Sequence, residues 1–451
     1  MSHSTKRVGR KTAAACIAAA LVSSAAACSS SGGSAGAAGA PAAAAATYTG
    51  SAVVNLTYWS WTLNAQSVVD AFNASHPNIH VTFTHIVSGT NGYSKLFDAF
   101  KAGNGPDVFN CEYDMLPEFV SQGLAANLTS YIDAAVQSEL GSALPLTTLG
   151  GSTWAVPIDV EPDELWYRAD LFKKYDLAVP TTWAQFANEA AQLAKADPGA
   201  KLGAIPLDDP LWLAALSEQA GAQWYSTSGD TWKVDTTDAA SEKVAAYWQN
   251  LVDQKLVLTD TSSSPAYGQA YSHGSVLTQI EPPYEGAYIE SGYPNEAGDW
   301  AVAPLPNWGA AATDGTEGGS SSVVNKDTKN LAAAAEFAEW LSTSPQAIST
   351  RMQGGKSTGL PVDASAAKAP ESSFDTNYFA QHQNVFDVAN AAAGTVSKSW
   401  VWGPEVPGTV TAMAKPLGQV DSGGQLSAVL STGQGTALQL MKSAGLSASA
   451  G

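Results

Sequence analysis

The stretch Val53 to Phe83, VVNLTYWSWTLNAQSVVDAFNASHPNIHVTF, decides the fold class. Its opening, Val53 to Tyr58 (VVNLTY), is β-branched and aromatic, the composition of a strand. Val68 to Phe72 and their flanks carry apolar residues at helical spacing. His76-Pro77-Asn78 ends that helix, because proline has no N–H for another turn. Ile79 to Phe83 then alternates apolar with polar residues, as a second strand should. Working outward, Lys95 to Lys101 reads as helix, Gly103 to Pro106 as a turn, and Asp107 to Asn110 as a third strand. Strands that alternate with helices predict an α/β fold with a mainly parallel sheet. Further on, Thr182-Trp183-Ala184-Gln185 has the form of a capping box after Pro180 and opens a helix to Ala196. Glu242 to Val252, Leu331 to Leu341 and Leu426 to Met441 are also helical, while Asp299 to Leu305 and Ser321 to Val324 are short strands. Asn307 to Gly319, glycine-rich and polar, predicts an exposed loop or a place where backbone approaches a ligand.

The chain has 451 residues, 45% of them hydrophobic, enough for a large core, and carries a net charge of −19. With only 22 Lys and Arg, such a surface repels phosphate backbones and anionic headgroups, which argues against nucleic acid and against electrostatic membrane docking. Lys6, Arg7, Arg10 and Lys11 precede an apolar run from Ala13 to Val22 and the small residues Ser23 to Ala27. This predicts an export signal over residues 1–27, with an apolar run too short for a permanent span of a core about 30 Å thick. Its loss would take the charge from −19 to −23, since four basic residues leave. Cys28 directly after three alanines resembles the lipobox of bacterial lipoproteins, and that resemblance implies a lipid on Cys28; ordinary cleavage near Ala27 is the alternative. Residues 28–49 then form a lipidated cysteine and a Ser/Gly/Ala tether. Cys16 leaves with the signal, so Cys111 has no disulfide partner.

Signatures of catalysis are scarce. Gly32-Gly33-Ser34-Ala35-Gly36 fits the nucleophile-elbow pattern but lies in the tether, where no strand-to-helix turn can present the serine. Pro77 denies His76 and His80 the helical i, i+4 geometry of a metal pair, and no phosphate-binding glycine loop follows a strand. No catalytic residue, metal or cofactor is expected. The 14 tryptophans are more informative. Trp59 and Trp61 bracket the end of the first strand, and Trp400 and Trp402 sit in the loop-like SKSWVWGPEVP; flat rings there can stack on the C–H faces of a sugar. Trp166, Trp248 and Trp340 read as core packing. Carboxylates follow the strands: Glu112 and Asp114 after Asp107 to Asn110; Asp159, Glu161, Asp163 and Glu164 after Trp154 to Ile158; Asp208 and Asp209 after Ile205 to Leu207. Ligands of α/β sheets sit beyond strand carboxyl ends, so these acids could line one cleft, or simply face solvent.

Several ordered marks carry a resemblance: Ala71 to Phe83 (AFNASHPNIHVTF), Ala102 to Phe109 (AGNGPDVF), Trp154 to Ala187, Trp300 to Pro306 (WAVAPLP), Gly318 to Val324 (GGSSSVV), and Ala332 to Ser344 followed by Gly359-Leu360-Pro361. In this order the chain resembles the family 1 extracellular solute-binding proteins, the maltodextrin-binding-like receptors of bacterial ABC sugar importers. The resemblance implies two α/β lobes, 50–158 plus 305–352 and 159–304 plus 353–447, with hinge crossings near Asp159, Ala303 and Gln353. It implies a ligand cleft between lobes that closes and docks on permease subunits. Residue by residue, Glu161 falls at an acidic hinge contact with Asp159 two residues before it, Glu112 and Asp114 resemble polar contacts, and Asp209 resembles an acidic contact of the second lobe. Tyr284 stands where related proteins stack a Trp, Gly318 and Gly319 could let backbone approach the sugar, and Trp61, Trp400 and Trp402 are the aromatic candidates. The expectation is a monomeric, lipid-anchored carbohydrate receptor on the outer face of the cell membrane. A secreted glycoside hydrolase, or a receptor for a polyamine, is the rival.

Overall fold

The computed structural model describes residues 48–309, 313–353, 359–362 and 374–451. The signal segment, Cys28 and the tether as far as residue 47 lie outside these residues. The opening stretch folds as its pattern dictates: strand Val54–Ser60, helix Ala65–Ser75, strand Ile79–His85, helix Gly89–Lys101, strand Val108–Glu112. Each strand ends two residues later than its pattern suggests, so Glu112 is the last residue of a strand and does not follow one.

These strands belong to a five-stranded sheet of order Ile79–His85, Val54–Ser60, Val108–Glu112, Ser320–Val324, Ala155–Pro157. The first three are parallel, joined by the two helical crossovers. Ser320–Val324 is antiparallel to both neighbours, with Ser320 opposite Glu112 and Val324 opposite Val108. The sheet is therefore mixed: four strands run one way and Ser320–Val324 runs against them. The chain leaves this sheet after Pro157 and re-enters at Ser320 from the end where Val108–Glu112 stops, so the returning strand must run the other way.

Between those points a second set of strands forms. Glu164–Arg168 is the centre of an antiparallel sheet flanked by Thr278–Glu281 and Trp300–Pro304. Ala204–Pro206 pairs in parallel with Leu258–Asp260, and the hairpin Tyr225–Ser228/Thr231–Val234 takes Ala448–Ala450 as a third strand. Aromatics fill this region: Trp183, Trp212 and Trp248 are buried, and the rings of Trp212 and Trp248 meet edge to face at 4.8 Å. The helix Trp183–Ala196 starts with the predicted reciprocal cap. Gln185 donates its N–H to Thr182 Oγ1, while its side chain accepts from the Thr182 N–H, both at 3.2 Å.

Two short strands lie outside both sets, Asp159–Val160 pairing antiparallel with Leu360–Pro361. Of Asn307 to Gly319, expected as an exposed loop or a place where backbone approaches a ligand, residues 314–317 are pinned, while Gly318 and Gly319 line a cleft. Thr316 bridges Pro162, Asp314 bridges Val396, and residues 314–317 are buried. Among the described residues no helix is long and apolar enough to cross a membrane. Cys111 is fully buried, and that burial with nearby Asp114 and Glu112 pushes its thiol well above the usual range, which leaves it unreactive.

Candidate ligand-binding cleft

The ends of the first sheet's strands, the strand Asp159–Val160 and the start of the helix Glu285–Gly292 line an open cavity of about 670 Å³. Seven of the residues picked out above line it: Trp61, Glu112, Asp159, Glu161, Tyr284, Gly318 and Gly319. Trp61 follows strand Val54–Ser60, and its ring meets that of Tyr93 edge to face at 5.8 Å. Tyr93 in turn fixes Glu112. Its hydroxyl donates to Glu112 Oε2 and accepts the Glu112 N–H, both at 2.8 Å.

Asp159 is held by the returning strand. Ser320 donates its N–H to Asp159 Oδ1 at 2.6 Å and its hydroxyl to Oδ2 at 3.1 Å, while Tyr113 donates its hydroxyl to the Asp159 carbonyl at 2.6 Å. Gly318 and Gly319 precede Ser320 with φ of +82° and +80°. A Cβ on Gly319 would lie 2.7 Å from the Tyr113 ring, so only glycine fits there. Glu161 is 4% exposed. The backbone amides of Tyr284 and Leu360 hydrogen-bond to it, yet burial, then Asp159 and Glu164, keep its carboxyl well above the usual range. Tyr284 starts the helix Glu285–Gly292, and Tyr288 one turn on presents a second ring.

Four residues of the expected set do not line the cavity. Asp209 caps the helix Pro210–Gln219, accepting the Leu211 N–H at 2.9 Å, so its carboxylate serves the helix start. Asp114 accepts backbone amides, its own and that of Met115, and burial raises it to about 8, with Glu112 and Asp209 adding. Trp400 is buried against Trp224 and Trp402, their centroids 5.6 and 5.1 Å away, because the SKSWVWGPEVP segment folds inward. Trp400 and Trp402 face Tyr113, Pro117 and Leu146 around a separate void of about 10 Å³.

Ser320 lines the cavity beside the two glycines, and so do His85, Val87, Tyr288 and Arg351, none of them among the expected residues. His85 ends strand Ile79–His85, so the strand-end rule would have found it. Arg351 carries no such mark: it lies in the last turn of helix Pro345–Met352, is buried, and sends Nη1 and Nη2 to the carbonyls of Leu341 and Ile158 at 3.3 and 3.4 Å. At the mouth, Leu63, Val87 and Tyr288 are large apolar side chains left exposed. Among the described residues no cluster of His, Cys, Asp and Glu could hold a metal ion.

This two-part α/β architecture around a central cleft is that of a solute-binding protein. Residues 58–348 match the family of bacterial extracellular solute-binding proteins, and the chain belongs to it. It is 28% identical over 208 residues to an uncharacterised lipoprotein from the oleD 5′ region of Streptomyces antibioticus, covering 45% of this chain and 44% of that one. It is 26% identical over 291 residues to a lactose-binding protein of Rhizobium radiobacter, covering 60% of this chain and 67% of that one. The match thus spans less than half of the first relative's length. The fold is similar to that of the galacto-N-biose/lacto-N-biose I-binding protein of a Bifidobacterium longum ABC transporter, solved with lacto-N-biose. That TM-score is 0.76 at 24% identity, over 88% of this chain and 99% of the other.

Proposed function

We propose that this protein is the substrate-binding component of an ABC importer and captures a carbohydrate in the cleft between its lobes. The observation that carries the reading is one cavity of about 670 Å³ holding two kinds of group side by side: the aromatic faces of Trp61, Tyr284 and Tyr288, and the carboxylates Glu112, Asp159 and Glu161. Rings take the C–H faces of a sugar, and carboxylates take its hydroxyl protons. The lactose-binding relative and the lacto-N-biose-binding structure support a sugar as cargo.

In this reading the lobes are 50–158 plus 305–352 and 159–304 plus 353–447, and the paired strands Asp159–Val160 and Leu360–Pro361 lie at the hinge. Sugar bridging both lobes favours the closed form, which docks as a monomer on the permease. Cys28 carries the lipid that keeps the receptor at the outer face of the membrane, as the Streptomyces lipoprotein relative supports. The receptor binds without cleaving. Tryptophan fluorescence and thermal shift of the purified protein against mono- and oligosaccharides, with spermidine as control, test this. Saturable binding of a sugar without release of reducing ends is the expected result; release of reducing sugar, or a response to spermidine alone, would refute it.

A further inference from the structure

The charges around the cleft do not balance. Glu112, Asp159 and Glu161 line it, and among the described lining residues the one Arg or Lys is Arg351. That guanidinium points both Nη atoms at carbonyl oxygens; its charge favours the ionised forms of Asp159 and Glu161, but no cleft carboxylate comes within 4.0 Å of a cationic group among the described ion pairs. Glu112 has the Tyr93 hydroxyl and Asp159 has Ser320. Glu161 takes the backbone amides of Tyr284 and Leu360, but at 4% exposure in the cavity wall its Oε2 is buried without a hydrogen-bond donor. Behind it the deficit deepens, since both oxygens of Asp163 and Oε2 of Glu317 are also buried without a donor. A buried carboxylate in this state either takes up a proton or waits for a cation.

A neutral sugar hydroxyl could supply a hydrogen bond to Glu161 but no charge to hold its carboxyl ionised. A protonated amine supplies both, and the neighbouring rings of Trp61 and Tyr284 favour a cation as well. Resting on the carbohydrate reading above, we infer that the sugar accepted by this cleft carries a protonated amine, seated against Glu161.

A matched pair of ligands tests this. Glucosamine oligomers are cationic, and N-acetylglucosamine oligomers of the same length and linkage are not. Titration calorimetry of the full chain at pH 6.5, in low and high salt, with cellobiose and spermidine as further ligands, gives the comparison. The amine oligomers should bind at least about tenfold more tightly than their acetylated counterparts, an advantage that shrinks as salt rises. In Glu161→Gln the advantage of the amine oligomers over their acetylated counterparts should fall to about twofold. The salt arm carries the test if that variant folds poorly. Equal or tighter binding of the uncharged oligomers overturns this inference and leaves the carbohydrate reading standing. Binding of spermidine with no sugar bound would instead refute the carbohydrate reading itself.

Discussion

The Ser320 backbone N–H sits 2.6 Å from Asp159 Oδ1, so the residue that begins the returning strand is tied to the residue that begins the first crossing. Because Ser320 is opposite Glu112 in the sheet, the same bond sets the spacing of two cleft carboxylates. Asp159→Ala strands that amide and should cost about 1–3 kcal/mol in urea unfolding. Asp159→Asn keeps an acceptor oxygen and should lose less stability while still weakening ligand. An unchanged midpoint in the alanine variant would show that the bond contributes nothing to the fold.

The two glycines before Ser320 separate strain from clash. Gly318 has φ +82° and its nearest neighbour to an added Cβ is Tyr284 Cε1 at 4.0 Å, so Gly318→Ala meets backbone strain alone, on the order of 1–2 kcal/mol. At Gly319 the added carbon would meet the Tyr113 ring at 2.7 Å, and that ring is fixed through its hydroxyl on the Asp159 carbonyl. Gly319→Ala should therefore lose roughly 1–3 kcal/mol more than Gly318→Ala. Thermal denaturation of the two variants side by side decides it; equal losses would mean that Tyr113 yields.

How much of this was legible depended on whether the determinant was local. The parallel strands and their helices up to Glu112 follow from periodicity and Pro77, and the Thr182–Gln185 cap from four consecutive residues. The direction of Ser320–Val324 did not, because it is set by where the chain re-enters some 160 residues after leaving the sheet at Pro157. Strand-end carboxylates and Trp61 found the cavity, since the ends of strands face it. Arg351 stayed invisible because a helix-terminal arginine reads as solvated, and Trp400 misled because a tryptophan between glycine and prolines looks like loop while tertiary packing buries it.

That contrast gives a paired test. Trp61 is half-exposed and lines the cavity, whereas Trp400 is 1% exposed and packs on Trp224. Trp61→Ala should weaken ligand binding by roughly tenfold, about 1.4 kcal/mol, with little change in melting temperature. Trp400→Ala opens a core cavity and should cost about 3–5 kcal/mol of stability. Ligand titration and calorimetric melting of both variants check the pair; a stability loss confined to Trp61→Ala would reverse the two assignments.

Buried carboxyls also set a pH dependence whose sign is opposite to that of ordinary acid denaturation. Burial raises Asp114, Glu218 and Glu281 to about 8 each, with neighbouring acids adding to the rise. In the unfolded chain the same groups titrate near 4, so between about pH 4 and pH 8 the native state holds protons that the unfolded state has released. Stability from these groups is fully present below pH 4 and is lost as pH rises through 8, so the ligand-free protein should melt at a lower temperature at pH 8 than at pH 5. Each such group contributes a slope of up to about 1.4 kcal/mol per pH unit. Glu218→Gln isolates one of them. Glu218 Oε2 accepts the Thr316 N–H and hydroxyl at 2.9 and 3.1 Å, and a glutamine oxygen can accept both without a proton to lose. The variant should match the parent near pH 5 and melt higher at pH 8. Melting curves at half-unit steps from pH 5 to 8 give the answer, and a parent whose melting temperature climbs across that range would mean that these carboxyls stay ionised in the fold.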